Sequence, residues 1–434
     1  MVSEQENPAK IYIRNYGCAA NIADGETISG CLSKSGYQIV PNEEEASILI
    51  YNTCAVKTQT ENKVISALKN VPKHKRLIIT GCLPLINLKR LSKEVQWHGL
   101  TGPSPGRIVV NVVDSVIKGE KSTLLYNDQK PSLTLPHGDS SRVVKIMPVC
   151  YGCLGTCTYC CVRFARGHLR SYTIEEIVDS VKDAIKSGFR EIWLTAQDLA
   201  CYGRDIDTDL VELLLNIDEI DGEFLVRLGM MNPANVMPIL PELTNIFRSR
   251  RFFRFLHLPV QSGDDTVLKD MNRQYTSKAI REIVADIKER ISQFTLATDF
   301  IYGFPTETDA AFKNSLSLLR NVKPDVINVS RFFPRPGTTA SELAQLPLSV
   351  INDRGRTLSR LSVEISTGRN MEWVGWNGEV IVDERRQSNS LIARNFAYKP
   401  IVIKTNEDLL GKMAVVRVTG HHSSYLNGVL AHFE

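Results

Sequence analysis

Short apolar runs of strand length alternate with helical segments along most of this chain, and that rhythm constrains its fold more than any other feature. Strands read at 10–16, 46–52 and 76–80, with helices at 21–35 and 58–69 and a fourth strand expected at 106–111. Such alternation gives a largely parallel sheet, because a helix returns the chain to the same edge. A polar stretch at 121–141, containing Pro131, Pro136 and Gly138, reads as a linker. Beyond it the rhythm repeats six times, with strands at 143–149, 191–196, 223–229, 254–260, 295–301 and 326–330 and helices such as 173–187 and 277–294. Six units are too few for a closed eight-stranded barrel, and an open partial barrel and a doubly wound sheet both fit the spacing. A helix at 350–367 follows. From about residue 371, short runs at 378–382, 399–403 and 412–418 read as a small antiparallel barrel.

The cysteines follow this rhythm. Cys18, Cys54 and Cys82 each stand just past the carboxyl end of an expected strand. In a parallel sheet those ends share the edge where ligands bind, so three distant thiols can converge. Cys153, Cys157 and Cys160 follow the first strand of the middle region in a CxxxCxxC run. Three thiolates on one loop can hold three irons of a [4Fe–4S] cluster, leaving the fourth iron open to a small molecule. Structural zinc usually takes four protein ligands, and two CxxC knuckles at Cys150–Cys153 and Cys157–Cys160 sit closer than zinc knuckles usually do. Cys31 falls inside a helix and reads as packing, while Cys150 and Cys161 flank the triplet without an assigned role.

Composition sets outer bounds. The 434 residues have room for two or three domains, and 43% hydrophobic with 23% charged content is ordinary for a globular chain. Ten clustered cysteines argue for reduced thiols or metal ligands rather than a disulfide scaffold. A net charge of +4 does not itself indicate nucleic acid. No apolar run approaches the roughly 20 residues of a membrane helix. A cytoplasmic protein without a membrane anchor is expected.

The residues resemble the radical S-adenosylmethionine methylthiotransferases. The triplet with Tyr159 inside it looks like the superfamily signature, and Cys18, Cys54 and Cys82 resemble the cysteines of the methylthiotransferase N-terminal domain. Asn15-Tyr16-Gly17-Cys18, Thr80-Gly81-Cys82, Ala165-Arg166-Gly167, the run from His257 to Gly263, Met271-Asn272-Arg273 and the run from Gly303 to Glu307 carry the likeness along the chain. Gly152–Cys160 and Ile192–Asp198 look most like the archaeal and eukaryotic branch acting on threonylcarbamoyladenosine in tRNA. The branches acting on isopentenyladenosine or on a ribosomal protein are less similar.

The resemblance implies an α/β fold class. It comprises an N-terminal parallel α/β domain over 1–125, a central partial (β/α)6 radical SAM barrel over 139–368, and a TRAM-like antiparallel β-barrel over 370–434. It implies two [4Fe–4S] clusters, one on Cys153, Cys157 and Cys160 and one on Cys18, Cys54 and Cys82. It also implies S-adenosylmethionine beside Tyr159, Gln197 and Gln261. Reductive cleavage of that cofactor would activate C2 of the adenine, and the second cluster would hold or donate the sulfur, which a second S-adenosylmethionine methylates. The partners implied are a tRNA and an electron donor such as a reductase, ferredoxin or flavodoxin. No catalytic side chain is assigned.

Nucleic-acid contacts are less defined. The segment 247–254 interleaves three phenylalanines with four arginines, which suits phosphate and base contacts but equally an amphipathic lead into a strand. Arg163, Arg166 and Arg170 follow the triplet and are better placed for substrate phosphate. The barrel region from 371 onward carries seven basic and seven acidic residues, which gives no support to RNA binding by charge. A non-enzymatic zinc- or RNA-binding protein is the competing class.

Overall fold

The computed structural model describes residues 9–126, 128–138, 141–387 and 389–431. The expected domain limits at 1, 139 and 434 lie outside the described residues. The first sheet has six parallel strands in the order Gln38–Ile39, Lys10–Asn15, Ile48–Thr53, Arg76–Gly81, Gly99–Thr101 and Ser122–Leu124. Its central strand Ile48–Thr53 is buried throughout. Successive side chains point to opposite faces: Ile48 and Ile50 join one apolar cluster, Leu49 and Tyr51 another. Helices cover both faces, as an all-parallel sheet requires.

Two expectations fail in this domain. The segment 106–111 is not a strand; it leads into the helix Ile108–Ile117, which buries Val109, Val112, Val113 and Val116. That spacing of three, one and three is helical and outweighs the strand preference of β-branched residues. The supposed linker at 121–141 contributes the strand Ser122–Leu124 and then packs back onto the domain. Gly138 N donates to Glu26 O at 2.8 Å, and Gly30 faces the Pro136 carbonyl so closely that a Cβ would stand 2.1 Å from it.

The middle strands run in chain order, Val144–Pro148, Glu191–Thr195 and Leu225–Leu228, then Phe255–His257, Thr295–Tyr302 and Val326–Arg331. Parallel bridges Val226–Phe252 and Met230–His257 join the two triplets of strands. Sequential order throughout excludes the doubly wound alternative, whose order reverses at a switch point. The result is an open six-stranded arc, with the helix Leu348–Met371 packed on its last strand.

The C-terminal strands Asn377–Gln387, Ser390–Arg394, Pro400–Lys404, Leu426–Leu430 and Met413–His421 close a small barrel in that order. It is mixed rather than antiparallel, because Pro400–Lys404 and Leu426–Leu430 run parallel. This barrel plugs the amino ends of the arc. Tyr398 packs on Phe253 and Phe255 at centroid distances of 4.8 and 5.2 Å, and Lys399 pairs with buried Asp325 at 2.8 Å. The carboxyl ends are left to the N-terminal domain. No helix among the described residues is long and apolar enough to cross a membrane.

Candidate active site

A cavity of about 850 Å³ opens at the carboxyl ends of the arc. Cys153, Cys157 and Cys160 line it together with Tyr159, Gln197 and Gln261. The cluster loop is held from several sides. Gly152 takes φ +81°, where a Cβ would overlap the His168 carbonyl at 1.8 Å, so glycine is required there. Gly152 N donates to Gln197 Oε1 at 2.7 Å, and Thr158 Oγ1 donates to Asp270 O at 2.7 Å. Asn272 Nδ2 donates to Thr156 Oγ1 at 2.7 Å.

The triplet leaves a cradle. A Cβ on Gly155 would stand 3.3 Å from Cys153 Sγ and 3.8 Å from Cys157 Sγ, so the missing side chain keeps the space between the two sulfurs open. Among the described residues no three His, Cys, Asp or Glu side chains gather around a single ion position. Three thiols on one loop beside this open cradle are a donor set that fits three irons of a [4Fe–4S] cluster. Burial raises the Cys153 thiol and pushes that of Cys160 up to about 12. Such thiols ionise when a metal takes the proton's place.

Arg273, quoted in a motif but given no role from sequence, proves central. It donates to Cys157 Sγ at 3.4 Å, to Pro259 O at 2.9 Å and to Tyr275 Oη at 2.7 Å. Gln261 holds φ +71°, an unusual conformation for a residue with a side chain. Its amide donates to Asp299 O at 2.7 Å and its carbonyl accepts from Ile301 N at 2.9 Å, which locks it at the cavity wall. Tyr159 is half-buried against the apolar cluster that includes Met271 and Phe304.

Cys18, Cys54 and Cys82 each follow the carboxyl end of a strand of the one parallel sheet, at its shared edge, where Cys54 and Cys82 feel each other and Cys18. Burial raises Cys54 and pushes Cys82 up to about 12. The loops that carry Cys54 and Cys160 meet at Cys161, whose Sγ lies 3.8 Å from the carbonyl of Ala55. Val56 and Lys57, next along that loop, line the main cavity. Cys31 and Cys150 are 3% and 1% exposed and pack in apolar clusters, as does Cys161.

The arginine expectations need correction. Arg163 lines the cavity, but Arg166 is buried in an ion pair with Asp24 and Arg170 donates to the carbonyls of His168, Gln129 and Arg166. In 247–254 the aromatics are core: Phe247, Phe252 and Phe253 are at most 2% exposed. Arg251 stands 3.9 Å from the Phe224 ring centroid and donates to the carbonyls of Gly222 and Ile220, both at 2.7 Å. A groove of about 530 Å³ on the C-terminal barrel is lined by Arg386, Lys404, His422, Tyr425 and neighbouring polar residues without a carboxylate. The balanced charge total of this region concealed that local basic face.

Residues 10–101 match the uncharacterized protein family UPF0004, and residues 147–319 match the radical SAM superfamily. A Pyrococcus abyssi protein described as a probable threonylcarbamoyladenosine tRNA methylthiotransferase is 40% identical over 423 residues, spanning 96% of this chain and 99% of its own. The threonylcarbamoyladenosine tRNA methylthiotransferase of Homo sapiens is 35% identical, spanning 96% of this chain and 73% of its own. A solved radical S-adenosylmethionine methyltransferase, TsrM from Kitasatospora setae, has a TM-score of 0.55 at 12% identity, covering 77% of this chain and 75% of that one. That last likeness is one of fold.

Proposed function

The chain belongs to the radical S-adenosylmethionine methylthiotransferase family, and from that premise we propose that it adds a methylthio group to C2 of threonylcarbamoyladenosine beside the tRNA anticodon. Membership implies S-adenosylmethionine and a [4Fe–4S] cluster. In this reading Cys153, Cys157 and Cys160 hold that cluster, and Cys18, Cys54 and Cys82 hold a second. The observation that carries it is the contact between Cys161 and Ala55, the residues next to Cys160 and Cys54, which brings the two cysteine-bearing loops together. When bound, the first cluster supplies the electron that cleaves the cofactor's sulfonium, and the second supplies an iron for sulfur.

The chain's own residues position these groups. Gln197 fixes the cluster loop by accepting from Gly152 N, and Arg273 places a cation on the Cys157 sulfur. Gln261 and Tyr159 line the space for the cofactor. The cavity has room for a base taken out of its stack, and its wall includes Lys57 from the N-terminal domain. The basic groove on the C-terminal barrel supplies phosphate contacts for the rest of the tRNA. A one-electron donor of the reductase, ferredoxin or flavodoxin class completes the requirement.

Iron counting tests the assignment. The reconstituted chain should hold about eight irons, and Cys18→Ala/Cys54→Ala/Cys82→Ala about four. That triple variant should still cleave S-adenosylmethionine to 5′-deoxyadenosine yet insert no sulfur. Methylthiolation surviving in it overturns the second site.

A further inference from the structure

Arg166 belongs by chain to the arc, since it ends the short helix Val162–Arg166 that follows Cys160 and Cys161. By contact it belongs to the N-terminal domain. The side chain is 3% exposed, with Nη2 2.7 Å from Asp24 Oδ2 and Nη1 donating to Ser104 Oγ at 3.0 Å. Ser104 Oγ donates to Asp24 Oδ1 at 2.6 Å, and buried Tyr151 Oη donates to the same oxygen at 3.3 Å. The helix that Arg166 ends packs against the turn Leu83–Ile86 directly after Cys82, and Cys82 shares one apolar cluster with Ala165, so the guanidinium charge acts on the Cys82 thiol. One cation is thus held by a carboxylate and a hydroxyl at the side of the N-terminal cysteine trio. Arginine suits the place because its donors fan out in a fixed plane.

We infer that Arg166 is a positioning residue that sets the reduction potential of the cluster on Cys18, Cys54 and Cys82, with Asp24 opposing it; this rests on the assignment of a cluster to those cysteines. Reduction adds negative charge to a cluster. A buried cation or a hydrogen bond to a ligating sulfur stabilises the reduced form and raises the potential, while a nearby carboxylate lowers it. Burial magnifies both effects by reducing screening. The loop that carries the first cluster's ligands therefore also supplies the second cluster's counter-charge.

The test uses the full chain carrying Cys153→Ala, Cys157→Ala and Cys160→Ala, so that only the N-terminal cluster remains. Iron is counted first, and the midpoint potential is then measured by a redox titration followed by electron paramagnetic resonance. Arg166→Gln should lower the potential, Asp24→Asn should raise it, and Arg166→Lys should restore most of the parental value. A mere strut between domains is broken alike by Arg166→Gln and Asp24→Asn, so it predicts no opposition of sign. Unchanged potentials, or shifts in one direction for both, with iron content intact overturn the inference. About four irons are expected in the background protein; their absence overturns instead the cluster assignment beneath it. If Arg166→Gln does not fold, a raised potential in Asp24→Asn and a near-parental one in Arg166→Lys are both required.

Discussion

Glu61 and Arg335 form an ion pair with side chains 1% and 4% exposed, joining the helix Thr58–Lys69 to the loop after Val326–Arg331. The pair clamps the N-terminal domain over the cavity, because Arg335 lines it. Its two ends are not equivalent. Glu61 also accepts from Asn87 Nδ2 at 2.8 Å and Arg90 Nη1 at 2.9 Å, whereas Arg335 Nη1 donates to Thr58 Oγ1 at 3.2 Å.

Glu61→Leu should therefore cost more than Arg335→Met. The first strands a buried cation, a loss of about 3–5 kcal/mol. The second leaves Glu61 with two donors and should cost about 1–2 kcal/mol. Denaturant midpoints of the two variants give the comparison, and equal losses contradict the asymmetry.

Gly155→Ala should weaken the first cluster without unfolding the chain. Its backbone does not require glycine, but the new methyl would stand 3.3 Å from Cys153 Sγ within the cradle. Iron content should fall below that of the parent, with 5′-deoxyadenosine formation falling in step. Full iron loading and full cleavage contradict the cradle as a cluster site.

Much of this arrangement was legible because strand ends are local features. The cysteines past Lys10–Asn15, Ile48–Thr53 and Arg76–Gly81 fall on one sheet edge once the sheet is read as parallel. The helix Ile108–Ile117 was misread because its valines mimic a strand, although Val109, Val112, Val113 and Val116 already carried the helical interval. Gly99–Thr101 has only three residues, too few for a periodic signal. Arg166 was misplaced for a different reason: its partner Asp24 lies on another domain, and nothing local to either residue marks a pair formed only by docking.

Glu191 should make stability fall as pH rises. It is fully buried at the start of Glu191–Thr195, and burial first, then the Asp383 carboxylate, hold its proton affinity above that of an ordinary glutamate, while Arg394 and Arg227 pull the other way. A carboxyl that binds its proton more tightly when folded contributes stability that is present below its unfolded value of about 4.3 and is lost as pH climbs through the raised folded value. Thermal midpoints of the parent should decline between about pH 5 and 8, and those of Glu191→Gln should decline less. Parallel curves contradict a proton held at Glu191.

The two arginine-bearing surfaces should separate cleanly in tRNA binding. Arg248 and Arg250 are exposed but lie before the amino end of Phe255–His257, away from the cavity. Arg248→Ala/Arg250→Ala should leave affinity unchanged. Arg386→Ala/Lys404→Ala in the basic groove should weaken binding and reduce its salt dependence by up to about two phosphate contacts. The reverse pattern contradicts the groove as the tRNA contact.

The most direct measurement is mass spectrometry of nucleosides from tRNA incubated with the reconstituted chain, S-adenosylmethionine, a sulfur source and a one-electron reductant. With tRNA carrying threonylcarbamoyladenosine, the account predicts a product heavier by one methylthio group in place of one hydrogen, absent from the Cys18→Ala/Cys54→Ala/Cys82→Ala variant. Cleavage of S-adenosylmethionine without that product, or the product appearing only on tRNA carrying isopentenyladenosine, contradicts it.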